Sequence, residues 1–183
     1  MMSEKINLPD DDPLYSRHVL EMLTVANEYC RFLEKCEDYQ IQEIYPVLQK
    51  IIPLIYLKAS LLPEIAVTDE DSVEHYVTEE QWESLFNTLH NKFGPDDEFY
   101  FVDLLEKSHH DPVKGSMAEF FTDAYQDLKD FLLLYQNPLR TFKENAVMEC
   151  KRLFETRFGP RLINAHASLH AILYRGEDHN IQF

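Results

Sequence analysis

The stretch Ser16-Arg-His-Val-Leu-Glu-Met-Leu-Thr-Val-Ala-Asn-Glu-Tyr-Cys-Arg-Phe-Leu-Glu-Lys-Cys-Glu-Asp38 decides the fold class. Its polar positions Arg17, Glu21, Thr24, Glu28, Arg31, Lys35 and Asp38 recur every three or four residues and trace one narrow solvent stripe along a helix. The rest forms two apolar stripes: Val19, Leu23, Ala26, Cys30 and Leu33, and Met22, Val25, Tyr29, Phe32 and Cys36. A helix on the outside of a fold needs only one such stripe, so 16–38 is expected to be helical, covered on two sides and central.

Outward from it, residues 40–62 continue the helical pattern, with breaks or starts expected at Pro46 and Pro53 and an end at Pro63, because proline lacks the amide donor and crowds the preceding turn. Residues 64–77 are acidic and without period. Thr78 with Gln81 spells a capping box for a helix to Phe93, which Gly94 and Pro95 stop. Residues 96–106 fit a short strand or a helical turn equally, and 107–115 read as a loop. Ser116 with Glu119 opens a broad-faced helix to about Gln136, Asn137 with Pro138 starts the next, ending at Gly159, and a last one runs from Arg161 to Arg175. The tripeptide Phe-Gly-Pro at 93–95 and 158–160 reads as one helix-stop device used twice. The expected fold is all-α, a single helical bundle-like domain of about six main helices over 16–175, with an acidic leader at 1–15 and a short tail at 176–183. Only 4 glycines and 9 prolines in 183 residues agree with helices and disfavour a turn-rich sandwich.

Charge narrows the function classes. The chain holds 33 acidic and 17 basic side chains, a formal net charge of −16. It is unevenly spread: residues 1–137 carry 28 acids and 10 bases, whereas 138–175 carry 3 acids and 7 bases. The stretch 64–111 alone has 14 acids to 2 bases, which repels a phosphate backbone, so no nucleic acid is expected. The basic C-terminal helices are expected to pack beside acidic helices of the same chain. The most apolar run, 47–62, is 16 residues long and interrupted by Lys50, Pro53 and Lys58, against about 20 for a span, so no membrane segment is expected. Three cysteines, Cys30, Cys36 and Cys150, and an N-terminus without an apolar core segment point to a reduced, cytoplasmic setting.

Motifs that carry chemistry are weak. Glu34 and Glu37 make a Glu-x-x-Glu step of the kind that starts a magnesium site, but residues 40–64 lack the second acidic pair. Asp123, Asp127 and Asp130, spaced i, i+4, i+7, form an acidic ridge that suits a metal, a basic partner or, more simply, bases of the C-terminal helices such as Arg140, Lys143 or Arg157. In the last case Asp127→Asn is expected to destabilise the fold. His109, His110 and Asp111 lie in a loop, and Glu106 with His109 is a single Glu-x-x-His where a di-iron bundle needs two. His166 and His170 have chelate spacing, yet Ala167 replaces the glutamate of the zincin motif, and His166 falls on the apolar face as a core histidine would. Nucleophile-elbow, phosphate-loop and dinucleotide fingerprints do not occur, and no cofactor is expected.

Five separated segments carry a resemblance: Val25-Ala-Asn-Glu-Tyr-Cys-Arg-Phe-Leu-Glu34, Tyr56-Leu-Lys-Ala-Ser-Leu-Leu-Pro63, Tyr76-Val-Thr-Glu-Glu80, Asp123-Ala-Tyr-Gln-Asp-Leu-Lys129 and Phe158-Gly-Pro-Arg-Leu162. Together, over about residues 16–175, they resemble a bacterial family known as domain of unknown function 5063. The resemblance implies a small cytoplasmic all-helical protein and brings no mechanism with it. From the residues themselves, the expected function is a non-enzymatic interaction module whose acidic surface binds a basic partner protein. The alternative is a metal-assisted hydrolase of a phosphorylated small molecule. Glu34, Asp123, Asp127 and His166 are the candidate binding residues, and the oligomeric state stays open.

Overall fold

Ser16 accepts a hydrogen bond from Val19 N and so opens α1 (Arg17–Leu33), the first helix of a computed structural model that describes residues 12–69, 74–105 and 111–175. α1 ends five residues earlier than its pattern predicts, and Cys36–Asp38 turn as a short 3-10 helix. α2 (Ile41–Ser60), α3 (Glu79–Phe93), α4 (Met117–Gln136), α5 (Arg140–Leu153) and α6 (Gly159–Tyr174) complete an all-α architecture. Its one sheet among the described residues is a hairpin-like antiparallel pair, β1 (Glu98–Phe101) with β2 (Val113–Ser116), in the register Phe99 opposite Gly115. The strand alternative for 96–106 is therefore the one realised, and the expected loop at 107–115 is in part a strand. The rings of Phe99, Phe101 and Phe120 crowd the space above Gly115, which is where a larger side chain would have to go.

α4, not α1, is the central helix. Three quarters of its side chains are buried, and it packs against α1, α3, α5 and α6. α1 is covered by α2 and α4, as its two stripes predict, but leaves Leu20 in solvent and Leu23 and Phe32 only partly covered. The two ends of α4 are fixed by long-range bonds: Tyr29, fully buried on α1, donates its hydroxyl to Phe121 O at 2.8 Å, and Tyr135 donates to Leu14 O at 2.7 Å.

The start of α4 hangs on one carboxylate. Asp97, fully buried, accepts from Ala118 N at 2.7 Å, from the Ser116 hydroxyl at 2.7 Å and from His90 Nδ1 at 2.8 Å, while its carbonyl accepts from Met117 N. A negative charge there also meets the positive end of the α4 dipole. The Ser116, Asp97 and His90 side chains form a line in which the carboxylate stands between hydroxyl and imidazole, so no base is placed on the serine and the cluster is structural. The capping box at Thr78 and Gln81 has both arms; at Ser116 only the arm from Glu119 N forms.

Two expected helix breaks do not occur. α2 runs unbroken through Pro46 and Pro53, because its apolar face, Ile44, Leu48, Ile52 and Ile55, is buried and offsets the cost of two missing amide donors. The second Phe-Gly-Pro is likewise no stop. Gly94 has φ +54° and ends α3, whereas Gly159 is helical and α5 continues through a π-turn, Phe154–Phe158, into α6 as one bent run. A Cβ on Gly159 would overlap the Phe154 carbonyl oxygen, so the glycine is set by close approach. Gly159→Ala is expected to cost about 1–3 kcal/mol in a denaturant melt, as overpacking does, against a few tenths for an ordinary surface substitution. Asn137 caps the end of α4 and accepts from Leu139 N, so α5 begins three residues after it.

Candidate functional site

Asp123, Asp127 and Asp130 do share one side of α4, and all three are buried. Their sets of partners differ, with Arg157 shared by the first two. Asp123 accepts from Trp82 Nε1 at 3.0 Å and pairs with Arg161, with Arg157 at 3.7 Å. Asp130 accepts from Tyr76 N at 2.8 Å and Val77 N at 3.0 Å, and its second oxygen bonds His75 Nδ1 at 3.0 Å. Among the described residues Asp127 has only Arg157, whose Nη1 lies 3.3 Å from Oδ1. The expected pairing of the ridge with the basic C-terminal helices thus holds for Arg157, and Arg161 joins it. Arg140 instead binds Asp12 and Glu144, and Lys143 bonds the Tyr135 carbonyl.

The described parts of the acidic stretch after α2, 64–69 and 74–77, unreadable by period, are strapped to α4 and α5. Lys151 pairs with Glu64, and Thr68 donates its amide and hydroxyl to the buried Glu144 at 3.1 and 2.7 Å. Asn145 Nδ2 donates to Asp69 O, and Asp130 holds 75–77. Against its own burial, the Thr68 hydroxyl and amide and the Arg140 guanidinium hold the Glu144 carboxyl below the usual carboxylate range. Sequence reasoning missed Glu144 and Asn145. The only local sign is the Arg140 to Glu144 spacing of four, which marks a helix-surface ion pair and says nothing of a strap.

Beneath Glu74 and His75, α4 and α5 enclose a cavity of about 370 Å³. Its floor is apolar: Phe131, Leu134, Ala146, Cys150 and Leu153. Its polar wall carries four carboxylates, Glu74, Asp127, Asp130 and Glu149, against two guanidiniums, Arg152 and Arg157. Arg152 is already held by Glu149 at 2.6 and 2.7 Å. The Asp127 side chain is 4% exposed, and its Oδ2 is buried with no hydrogen-bond donor among the described residues. Burial pushes its carboxyl up to about 7; Arg157 opposes this, and the like charges of Asp130 and Glu149 add to it. A buried carboxylate oxygen that no donor meets costs stability, and such costs cluster where a ligand supplies the donor.

The other candidates lie apart from this cavity. Glu34, at the end of α1, accepts from the Tyr125 hydroxyl at 3.0 Å and from Lys129 at 2.7 Å and borders an open groove with Glu37 and Glu80. His166 bonds the Gln49 carbonyl at 3.0 Å and joins α6 to α2, while the His170 ring packs at a tilt against Tyr174, so the two histidines are engaged separately. Among the described residues no group of three or more His, Cys, Asp and Glu side chains converges as a metal would require. Glu106, His109 and His110 lie outside the described residues. All three cysteines are free and buried, and burial raises the Cys150 and Cys30 thiols far above the usual range. No helix of the described residues is long and apolar enough to cross a membrane.

Comparison with known proteins agrees with this architecture. A family model described as a domain of unknown function, DUF5063, matches residues 13–175. The crystal structure of protein BF1032 from Bacteroides fragilis is similar, with 32% sequence identity and a TM-score of 0.81 over 92% of this chain and 99% of that one. No curated protein matches the sequence.

Proposed function

Because the chain belongs to the DUF5063 family, described as a domain of unknown function, it inherits no activity, and we propose from its own geometry that it is a non-enzymatic interaction module. It takes a basic partner, one cationic group of which enters the cavity between α4 and α5. The observation that supports this reading is Asp127: a buried carboxylate on the lining of a cavity where carboxylates outnumber guanidiniums. Net charge of −16 supplies long-range attraction for such a partner, and the cavity supplies a place for its charge to be desolvated. The hydrolase alternative needs Glu34, Asp123, Asp127 and a histidine at one point, and Glu34 and His166 are held elsewhere by Lys129, Tyr125 and Gln49.

A labelled peptide rich in lysine and arginine tests the reading by fluorescence anisotropy. Its affinity is expected to fall steeply as salt rises from about 20 to about 200 mM, and to drop about tenfold in Asp127→Asn. Binding that ignores both salt and Asp127, or no binding at all, would refute the module.

A further inference from the structure

We infer that the outer edge of β1, where it faces α6, is a docking groove for an extended basic segment of a partner protein, which joins the sheet as a third strand. This surface is separate from the cavity at Asp127. Met117 N donates to Asp97 O at 2.9 Å, which sets the phase of the ladder. With Phe99 opposite Gly115, the backbone groups of Phe99 and Phe101 turn toward β2, and those of Glu98 and Tyr100 turn away from it. Among the described residues the N–H and C=O of Glu98 and Tyr100 meet no partner. Such an unpaired edge is a template for another chain. A groove of about 470 Å³ runs along it, lined by all four residues of β1 and by none of β2. Because successive side chains of β1 alternate between faces, only the side away from β2 meets both conditions. The opposite wall is α6 from Asn164 to Arg175, with the small side chains of Ala167 and Ser168 in between. The helical wall is about 16 Å long and the strand about 13 Å, so the two walls match in length.

Charge selects the occupant. Asp96 and Glu98 line the groove against Arg175, and among the described residues Asp96 meets only a neutral donor, the Tyr45 hydroxyl at 3.2 Å. Glu98 already takes one ammonium, Lys114 Nζ at 2.6 Å, on the exposed face of the hairpin. An added strand sets alternate residues on that face and the intervening ones on the face of Phe99 and Phe101, so lysines beside Glu98 and apolar side chains beside the phenylalanines complete it. A second copy's β1 is disfavoured, because Asp96 and Glu98 would meet their own like charges. Residues 176–183, which follow Arg175 in the chain, hold Glu177 and Asp178 and neither lysine nor arginine, so charge disfavours them as well.

A labelled hexapeptide alternating lysine with valine is the probe, on the full chain, read by fluorescence anisotropy and by amide hydrogen exchange. In the free protein the amides of Phe99 and Phe101 are expected to exchange more slowly than those of Glu98 and Tyr100, and the peptide to slow the second pair at least about tenfold. Methylating either the lysine amides or the valine amides of the peptide gives two further probes. Alternate amides of an added strand face β1, so one of the two is expected to lose affinity at least about tenfold and the other to keep it. Loss in both, or in neither, would overturn the third strand. Ala167→Arg, a change at an exposed position of the opposite wall, is expected to abolish binding, and Asp127→Asn to leave it unmoved. The reverse pattern would place the peptide in the cavity and overturn the groove. Protection of Glu98 and Tyr100 without peptide would also overturn it: protection that rises with protein concentration assigns the edge to a second copy, and protection that deletion of 176–183 removes assigns it to the chain's own end.

Discussion

Replacing Asp97 by alanine is expected to cost about 3–5 kcal/mol, the range for breaking a buried charged network by removing one partner. The side chain is fully buried and receives three donors: His90 Nδ1, the Ser116 hydroxyl and Ala118 N. Alanine would leave Ala118 N at the start of α4 and the half-buried Ser116 hydroxyl without their carboxylate acceptor. Because α4 is the helix that α1, α3, α5 and α6 all pack on, the loss is expected to lower the midpoint of the whole denaturation curve. Asp97→Asn keeps one acceptor for Ala118 N and is expected to cost less, about 1–2 kcal/mol. Urea melts followed by far-ultraviolet circular dichroism check both values. If both variants fell within about 0.5 kcal/mol of wild type, the cap would be a surface feature.

Asp127→Asn is expected to act in the opposite direction and to stabilise the protein at pH 8. The folded-state carboxyl is raised from 3.8 to about 7, so between those values the folded chain keeps a proton that the unfolded chain has lost. Stability contributed by this group is therefore greatest below the ordinary value, falls as pH rises through the window, and stays low above about 7. Asparagine carries no such penalty. The variant is expected to exceed wild type by about 2–4 kcal/mol at pH 8, with the gap closing near pH 4. Arg157 keeps Gln126 Oε1 at 3.3 Å and Asp123 at 3.7 Å as neighbours. This reverses the sign expected from the sequence, where the ridge reads as an ordinary ion-paired edge. A residue whose neutral replacement stabilises the fold is retained for something other than folding. Melts at both pH values check it; destabilisation at pH 8 would mean that the pair with Arg157 outweighs the burial.

Much of this was legible in the amino acids. Helical period, the Thr78 box and the Gly94 stop follow from local chemistry, and local chemistry is what a sequence displays. The errors lie where tertiary contacts override it. Pro46 and Pro53 are tolerated because the face between them is buried, and the glycine of Gly159-Pro160 is no helix stop but the residue that fits where Phe154 leaves no room for a side chain. The i, i+4, i+7 spacing placed Asp123, Asp127 and Asp130 on one side of α4 correctly. It could not tell them apart, since their differences come from residues far away in the chain: Trp82 and Arg161 for the first, Arg157 for the second, the strap at 75–77 for the third. The unmet oxygen of Asp127 is a property of that arrangement and leaves no mark in the sequence. The centrality of α4 over α1 was hidden for a related reason: the groups that cover its three acids, Trp82, Arg157, Arg161 and the strap at 75–77, come from other elements.

The claim that Asp127 lines the place where a basic partner's charge enters is tested most directly by titrating its side-chain carboxyl carbon by nuclear magnetic resonance, with and without a saturating peptide rich in lysine and arginine. The free protein is expected to show a midpoint near 7, and the liganded protein a midpoint lower by at least about one unit, because a cation bound to the ionised form favours it. A midpoint already in the ordinary carboxylate range, or one near 7 that the peptide leaves unmoved, would contradict it.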